Sequence, residues 1–259
     1  MKYFILILWA VMFGITCLPV YAGSEDITGI QLANDIFHRD RGNNSVLEAQ
    51  MVLVNKNGNK RVRQFTNKRI RENERERQLI RFTYPADIAG TGFLTIEKPG
   101  WETEQFLFLP ALRRTRRIVT SQKSHRFVNS DFTYEDMERH PVDDYTYKIT
   151  GTETIEKIVC HVLETRPKQG VQSQYGLTQS LVGKSSLVPI FVKYFDHKEN
   201  HIKTYKVLKL EKIQHIWTEL IISMEDHERD HQTYIKTENI VYNTDIDTQD
   251  ISRNRLENY

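Results

Sequence analysis

The sequence predicts a mostly antiparallel α+β fold, and three observations carry that reading. About ten or eleven short segments of alternating or continuous apolar character follow one another at hairpin spacing from Val46 onward. No βαβ rhythm of strand, long helix and parallel strand interrupts them. Only two stretches, one near each end of the first half, show helical periodicity. No Pro/Gly linker, internal repeat or low-complexity tract divides the chain, so residues 23–259 read as one domain.

The elements follow in order. Lys2 precedes an apolar run from Tyr3 to Ile15, and Val20-Tyr21-Ala22 fits a small-x-small cleavage site. Residues 1–22 therefore read as a cleaved secretory signal peptide, too short in its apolar part to span a bilayer, with an uncleaved anchor as the alternative. The expected location is the periplasm. Cys17 lacks the Leu three residues before it that a lipoprotein signal needs, and falls within the removed segment. Next, "EDITGIQLANDIFHRDRG" places Ile27, Ile30, Ala33, Ile36 and Phe37 near a 3.6-residue period, predicting an amphipathic helix over Glu25–Arg39 that Gly42 helps to end.

Strands then alternate with turns. "VLEAQMVLV" leads through "NKNGN", where Gly tolerates positive φ, into "KRVRQFTNKRIRE". "RQLIRFTYP", "GTGFLTIEK" and "TEQFLFLP" complete the first set. "YTYKITGTET", "KIVCHVLETRP", "PIFVKYF", "HIKTYKVLKLEKI", "WTELIISME" and "YIKTENIVYN" form the second. Between the sets, a short helix is expected near Asp131–Glu138, with Asp131 as its cap and Glu135 and Asp136 in its early turns.

Little in the chain points to catalysis. Thirty-six Lys and Arg against 34 Asp and Glu leave a net charge of only +2, so the distribution of charge matters more than its sum. Cys160 is the single cysteine after the signal, which excludes an intramolecular disulfide, and "IVC" marks it as a buried small hydrophobe. His227-Glu228-Arg229-Asp230-His231 matches the H-E-x-x-H string of zinc proteases, but that chemistry needs a helix to place both imidazoles on one face. Here strand-like "ELIISM" and "TYIKTENIVY" flank the string, making it a polar hairpin turn. No nucleophile elbow or phosphate loop occurs, and no catalytic residue, metal or cofactor is expected.

One stretch is more informative. In "FLFLPALRRTRRIVTSQKSHRFVNSDFTYEDM", Phe106 and Phe108 share one side of a strand and Leu107 and Leu109 the other, so both faces are covered. Arg113, Arg114, Arg116 and Arg117 follow, and no acid intervenes between Glu104 and Asp131. Guanidiniums pair bidentately with phosphate or carboxylate. For an exported chain, nucleic acid is not the partner; anionic lipid head groups or an acidic protein surface are, against the plainer alternative of a solvated basic loop with local ion pairs.

The motifs "FLFLPALRRTRRI" and "SDFTYEDM" resemble the LolA-like outer-membrane lipoprotein-sorting proteins, in the branch often encoded beside RND-type exporters. "RFTYPADIAGTGFLTIE", "FVKYFDHKENHIKTYKV" and the closing "ISRNRLENY" extend the similarity over roughly Asp26–Glu257. Gln214-His215, where a Gly-containing turn is expected, and the Gln169–Ser186 stretch depart from the pattern. The resemblance implies an incomplete, half-open β-barrel whose cavity is closed by short helices, in a non-enzymatic carrier of acyl chains of a lipid or lipoprotein. On strand faces, Phe82, Phe93, Phe106, Phe108 and Trp217 are expected to line that cavity. Phe132, Tyr134 and Met137 would form its lid, and Arg113, Arg114, Arg116 and Arg117 would meet an exporter or an anionic membrane. The alternative is a static envelope scaffold or exporter accessory with a filled core.

Overall fold

The computed structural model describes residues 27–258. The expected signal peptide, with Cys17, lies outside them. Among the described residues, thirteen strands build one antiparallel sheet, and two short α-helices pack on it.

Helix α1 (Gly29–His38) begins at a capping box: Thr28 accepts from the Gln31 amide, and the Gln31 side chain accepts from the Thr28 amide at 2.8 Å. Leu32 and Ala33 are its buried residues. Gly29 is required where α1 touches the sheet, since a Cβ there would meet the Tyr147 carbonyl oxygen at 2.6 Å.

Six strands follow as a meander: β1 (Asn44–Val54), β2 (Lys60–Glu72), β3 (Arg75–Tyr84), β4 (Gly92–Glu97), β5 (Thr103–Leu109) and β6 (Arg114–Ile118). The β1–β2 turn is the expected one. Gly58 takes φ +76°, and the Asn55 side chain accepts from the amides of Asn57 and Asn59, both at 3.0 Å.

A second meander follows: β7 (Tyr145–Ile155), β8 (Ile158–Pro167), β9 (Leu177–Gly183), β10 (Pro189–Phe195), β11 (His201–Ile213), β12 (Ile216–Asp226) and β13 (His231–Tyr242). Strand β13 pairs back onto β1, so the order across the sheet is β6-β5-β4-β3-β2-β1-β13-β12-β11-β10-β9-β8-β7. The sheet curves without closing: β6 and β7 remain its two ends, and residues 119–144 cross between them.

Two strands exceed the expected number. β6 reads "RTRRI" and β9 reads "LTQSLVG", both without clean alternation; β6 is set by its pairing with β5. The helix expected near Asp131–Glu138 is a correction: only a single 3₁₀ turn forms there, at Glu135–Met137. Asp131 does not cap it, because its carboxylate is drawn into the sheet instead. The β11–β12 turn keeps its tight geometry without glycine. Gln214 and His215 both take positive φ, +48° and +69°, while the Gln214 side chain accepts from the Tyr242 amide at 2.8 Å.

The core lies on both faces of the sheet. Inside, Phe65, Phe82, Phe93, Leu107, Phe127 and Tyr134 form an aromatic cluster. Outside, Leu94, Phe106 and Phe108 pack with Ile251 and Leu256, where helix α2 (Arg253–Glu257) covers the sheet. Strand β4 is consequently buried at all six positions.

Candidate functional site

The crossing segment is a plug built from the "SDFTYEDM" motif. Its backbone turns back on itself, with the Phe127 amide donating to the Phe132 carbonyl at 2.8 Å. Its acids then reach across to the second meander. Asp131 is fully buried and accepts from Arg229 Nη1 at 3.0 Å and from Thr233 Oγ1 at 2.6 Å, with His231 Nδ1 also at 2.6 Å. Glu135 accepts from the Ser173 hydroxyl and from the Gln174 amide at 3.1 Å. Asp136 accepts from the Tyr175 hydroxyl at 2.8 Å and pairs with Lys203 at 3.4 Å. From the first meander, Gln105 Nε2 donates to the Tyr134 carbonyl at 2.7 Å and Arg63 donates to the Val128 carbonyl. The plug is thus tied to both halves of the sheet.

Its aromatic residues fill one half of the interior and leave the other open. Between the plug, α1, β3–β5 and β7–β13 lies a cavity of about 630 Å³. Ile36, Phe132, Met137, Val192, Met224 and Ile235 contribute apolar wall. Tyr145, Tyr147, Tyr175, Tyr194 and Tyr205 bring aromatic faces with hydroxyl ends. Burial pushes all five phenols above their ordinary range, so they stay protonated donors.

A charged network closes one end. Glu76 pairs with Arg41 at 3.3 Å, Arg69 at 3.4 Å and Arg139 at 3.6 Å, and Glu97 pairs with Arg139 at 3.1 Å. Burial alone would raise the Glu76 carboxyl, but the three guanidiniums outweigh it and hold the group below its usual range. At Glu97 burial prevails and raises the carboxyl. Burial, with Arg41 adding to it, pushes the Arg69 guanidinium down to about 10. Arg139 also stacks on Phe37 of α1, 3.9 Å from the ring centre, joining helix, plug and sheet.

The residues singled out from the sequence divide into groups. Phe132 and Met137 line the cavity. Phe82, Phe93 and Tyr134 are buried in the neighbouring aromatic cluster, where Phe93 and Tyr134 ring centres lie 5.6 Å apart. Phe106 and Phe108 are a correction: they face outward onto α2, while Gln105 and Leu107 face in. Both faces of β5 are apolar, so alternation could not choose between them. Trp217 packs with Cys160, Val188 and Ile190 in a separate cluster, away from the cavity wall.

Arg113, Arg114, Arg116 and Arg117 are exposed on and beside edge strand β6. Arg117 pairs with Glu102 at 3.2 Å and Glu104 at 3.3 Å. Among the described residues the other three make no ion pair, and none of the four reaches the plug's acids. The H-E-x-x-H string spans the β12–β13 turn, where His227 meets Thr204 Oγ1 at 2.8 Å while His231 serves Asp131. Its two imidazoles have different partners and different tasks.

Sequence reasoning missed the five cavity tyrosines and the acid latch. The tyrosines left a signal in "YTY", whose i, i+2 spacing puts Tyr145 and Tyr147 on one strand face. The latch left none, because Asp131 and Thr233 are joined only by the crossing of the chain.

A family model described as "Uncharacterized protein" matches residues 74–258. No curated protein matches the sequence. Among solved structures, a DUF1329 family protein from Desulfovibrio piger superposes with TM-score 0.83 at 29% identity, covering 88% of this chain and 97% of that one. A domain from Vibrio parahaemolyticus, described as belonging to outer-membrane lipoprotein sorting, gives 0.82 at 27% identity over 88% and 98% of the two chains. A LolA superfamily protein from Nitrosomonas europaea gives 0.69 at 14% identity over 88% and 99%, which shows the shared fold. None of these descriptions is that of an enzyme. The chain belongs to the family whose model spans residues 74–258, and it shares its half-open fold with the LolA superfamily protein.

Proposed function

We propose that this protein is a non-enzymatic periplasmic carrier that holds acyl chains of a lipid or lipoprotein in the cavity and moves them toward the outer membrane. The observation that carries this reading is the apolar-walled space of about 630 Å³ left open beside a plug that fills the rest of the interior. That volume suits a ligand of small-molecule size. Transferring eight methylenes into it would contribute roughly 6 kcal/mol at ~0.8 kcal/mol each, enough for reversible capture without any covalent chemistry. The descriptions of the solved neighbours support the same reading. The expected signal peptide supports export, and the arginines of β6 supply a surface for an RND-type exporter or an anionic membrane.

A static scaffold is favoured by one observation, the aromatic filling of the first half of the barrel. The two readings separate on ligand content. Purified protein extracted with organic solvent should release acyl lipid near one equivalent by mass spectrometry, and should bind a fluorescent acyl probe. Ile222→Trp, which intrudes on the cavity, should weaken probe binding at least about ten-fold with the melting temperature monitored alongside. Absence of both lipid and probe binding would establish the scaffold.

A further inference from the structure

The cavity wall contributed by the first meander is polar, in contrast to the wall around Val192 and Met224. In β3, β4 and β5, Gln78, Thr95 and Gln105 stand directly opposite one another across three paired strands. Gln78, Thr95 and, two residues before Gln105, Thr103 face the cavity. Thr95 is only 6% exposed, and no protein group partners its hydroxyl. Gln105 is fully buried and commits its amide nitrogen to the Tyr134 carbonyl, while its Oε1 accepts from no protein donor. A buried hydroxyl without a partner is costly, so a group that satisfies it from the cavity gains by doing so.

The charges around this wall restrict what that group can be. Every guanidinium on the cavity is already committed: Arg39 to Glu219 at 3.3 Å, Arg41 to Glu76 at 3.3 Å, and Arg139 to Glu97 at 3.1 Å. Of the remaining carboxylates, Glu138 is matched by Lys123 at 2.8 Å and Asp136 by Lys203 at 3.4 Å, while Glu135 has no cation and accepts from the Ser173 hydroxyl and from the Gln174 amide at 3.1 Å. An anionic head group would find no spare cation and several carboxylates. A cationic one would find each carboxylate held by a cation or, at Glu135, by neutral donors, and would be desolvated beside buried Arg139.

We propose that Gln78, Thr95 and Thr103 form a subsite for the uncharged, hydroxyl- or amide-bearing polar end of the bound acyl lipid, with Thr95 Oγ1 its central contact. This rests on the carrier reading and names the chemistry of its cargo. The lipid's tail lies against Val192, Met224 and Ile235, and its polar end meets the β3–β5 wall.

Four C16 ligands test it by displacement of a fluorescent acyl probe: 1-monopalmitoylglycerol, 1-palmitoylglycerol 3-phosphate, hexadecylamine and hexadecane. Monopalmitoylglycerol should displace the probe about ten-fold more effectively than either charged ligand. Thr95→Val should weaken monopalmitoylglycerol about five-fold and leave hexadecane unchanged, as loss of one hydrogen bond requires. Its melting temperature should not fall, because the substitution removes an unpartnered hydroxyl. Thr103→Val makes the same comparison at the second hydroxyl and stands in should Thr95→Val fail to fold. Charged ligands binding as tightly as monopalmitoylglycerol, or a Thr95→Val effect equal on all four ligands or absent, would overturn the subsite alone. Binding of none of the four would overturn the carrier reading and the subsite with it.

Discussion

Replacing Asp131 with Ala removes the one carboxylate that joins the plug to β13 and to the β12–β13 turn. In the native protein that group is fully buried and takes three side-chain contacts, from Arg229 at 3.0 Å, Thr233 at 2.6 Å and His231 at 2.6 Å. Two of the three partners are poorly placed to find water instead: the His231 side chain is 11% exposed and Thr233 is fully buried. Breaking a buried ionic network by removing one member costs about 3–5 kcal/mol, because the remaining groups stay desolvated. At roughly 2–4 °C per kcal/mol for a protein of this size, the melting temperature should fall by about 6–20 °C. Asp131→Asn keeps an acceptor but loses the charge, and should fall between the two. Thermal unfolding followed by circular dichroism measures the loss, and hydrogen exchange locates it. Amides of residues 127–137 should exchange faster than those of β1 and β2, since the plug opens before the sheet does. A drop below about 2 °C, or uniform acceleration across the sheet, would refute the latch.

Other substitutions probe the two faces and the charges. Leu256→Ala empties the outer cluster and should cost about 2–5 kcal/mol, yet leave acyl-probe affinity unchanged because that cluster lies across the sheet from the cavity. Phe108→Glu should act the same way, through lost packing on α2 rather than through the ligand. Glu76 has its carboxyl depressed by its arginines against the opposing pull of burial, so its contribution is present above the unfolded value of about 4.3 and is lost as pH falls through the lower folded value. Glu76→Gln should therefore flatten the fall of melting temperature between about pH 5 and 3, and parallel curves would contradict this. Changing Arg114, Arg116 and Arg117 together to Gln should move the melting temperature by less than about 2 °C, since exposed pairs contribute little. It should also weaken binding to anionic vesicles and flatten its salt dependence.

How far the sequence reveals this depends on whether a feature is local. Turn chemistry is local, so "NKNGN" announces the β1–β2 hairpin, and the flanking strands identify the H-E-x-x-H string as a turn. Alternation is local too, and it reveals most of the strands. It fails at β6, whose arginines carry no apolar face, and at β5, whose two apolar faces are equivalent until α2 covers one of them. The amphipathic first helix is legible from its period, although its packing against β7 through Gly29 is not. Asp131 looks like a helix cap because acids at such positions often are caps. Its true partners lie about a hundred residues later, where no pattern within the motif can point to them. The cavity is hidden for the same reason, since its wall is drawn from α1, the plug and both meanders.

The amphipathic character of that cavity follows from how the sheet is finished. Thirteen strands in this order leave β6 and β7 unpaired at the seam. Direct pairing of those edges would satisfy the backbone but seal the interior. An irregular segment crosses instead, and buried irregular backbone needs hydrogen-bonding partners that strands would otherwise supply. Gln105 and Arg63 provide them from the first meander, while Thr233 Oγ1 accepts from the Asp131 amide at 3.0 Å. The acids of the segment in turn require Arg229, Lys203 and Tyr175 to face inward. Polar and charged side chains are therefore brought inside the barrel by the plug's own backbone, directly beside an apolar space. A barrel closed by strand pairing has no such requirement. The half-open architecture thus produces an interior that offers one end to methylenes and the other to hydrogen-bonding groups.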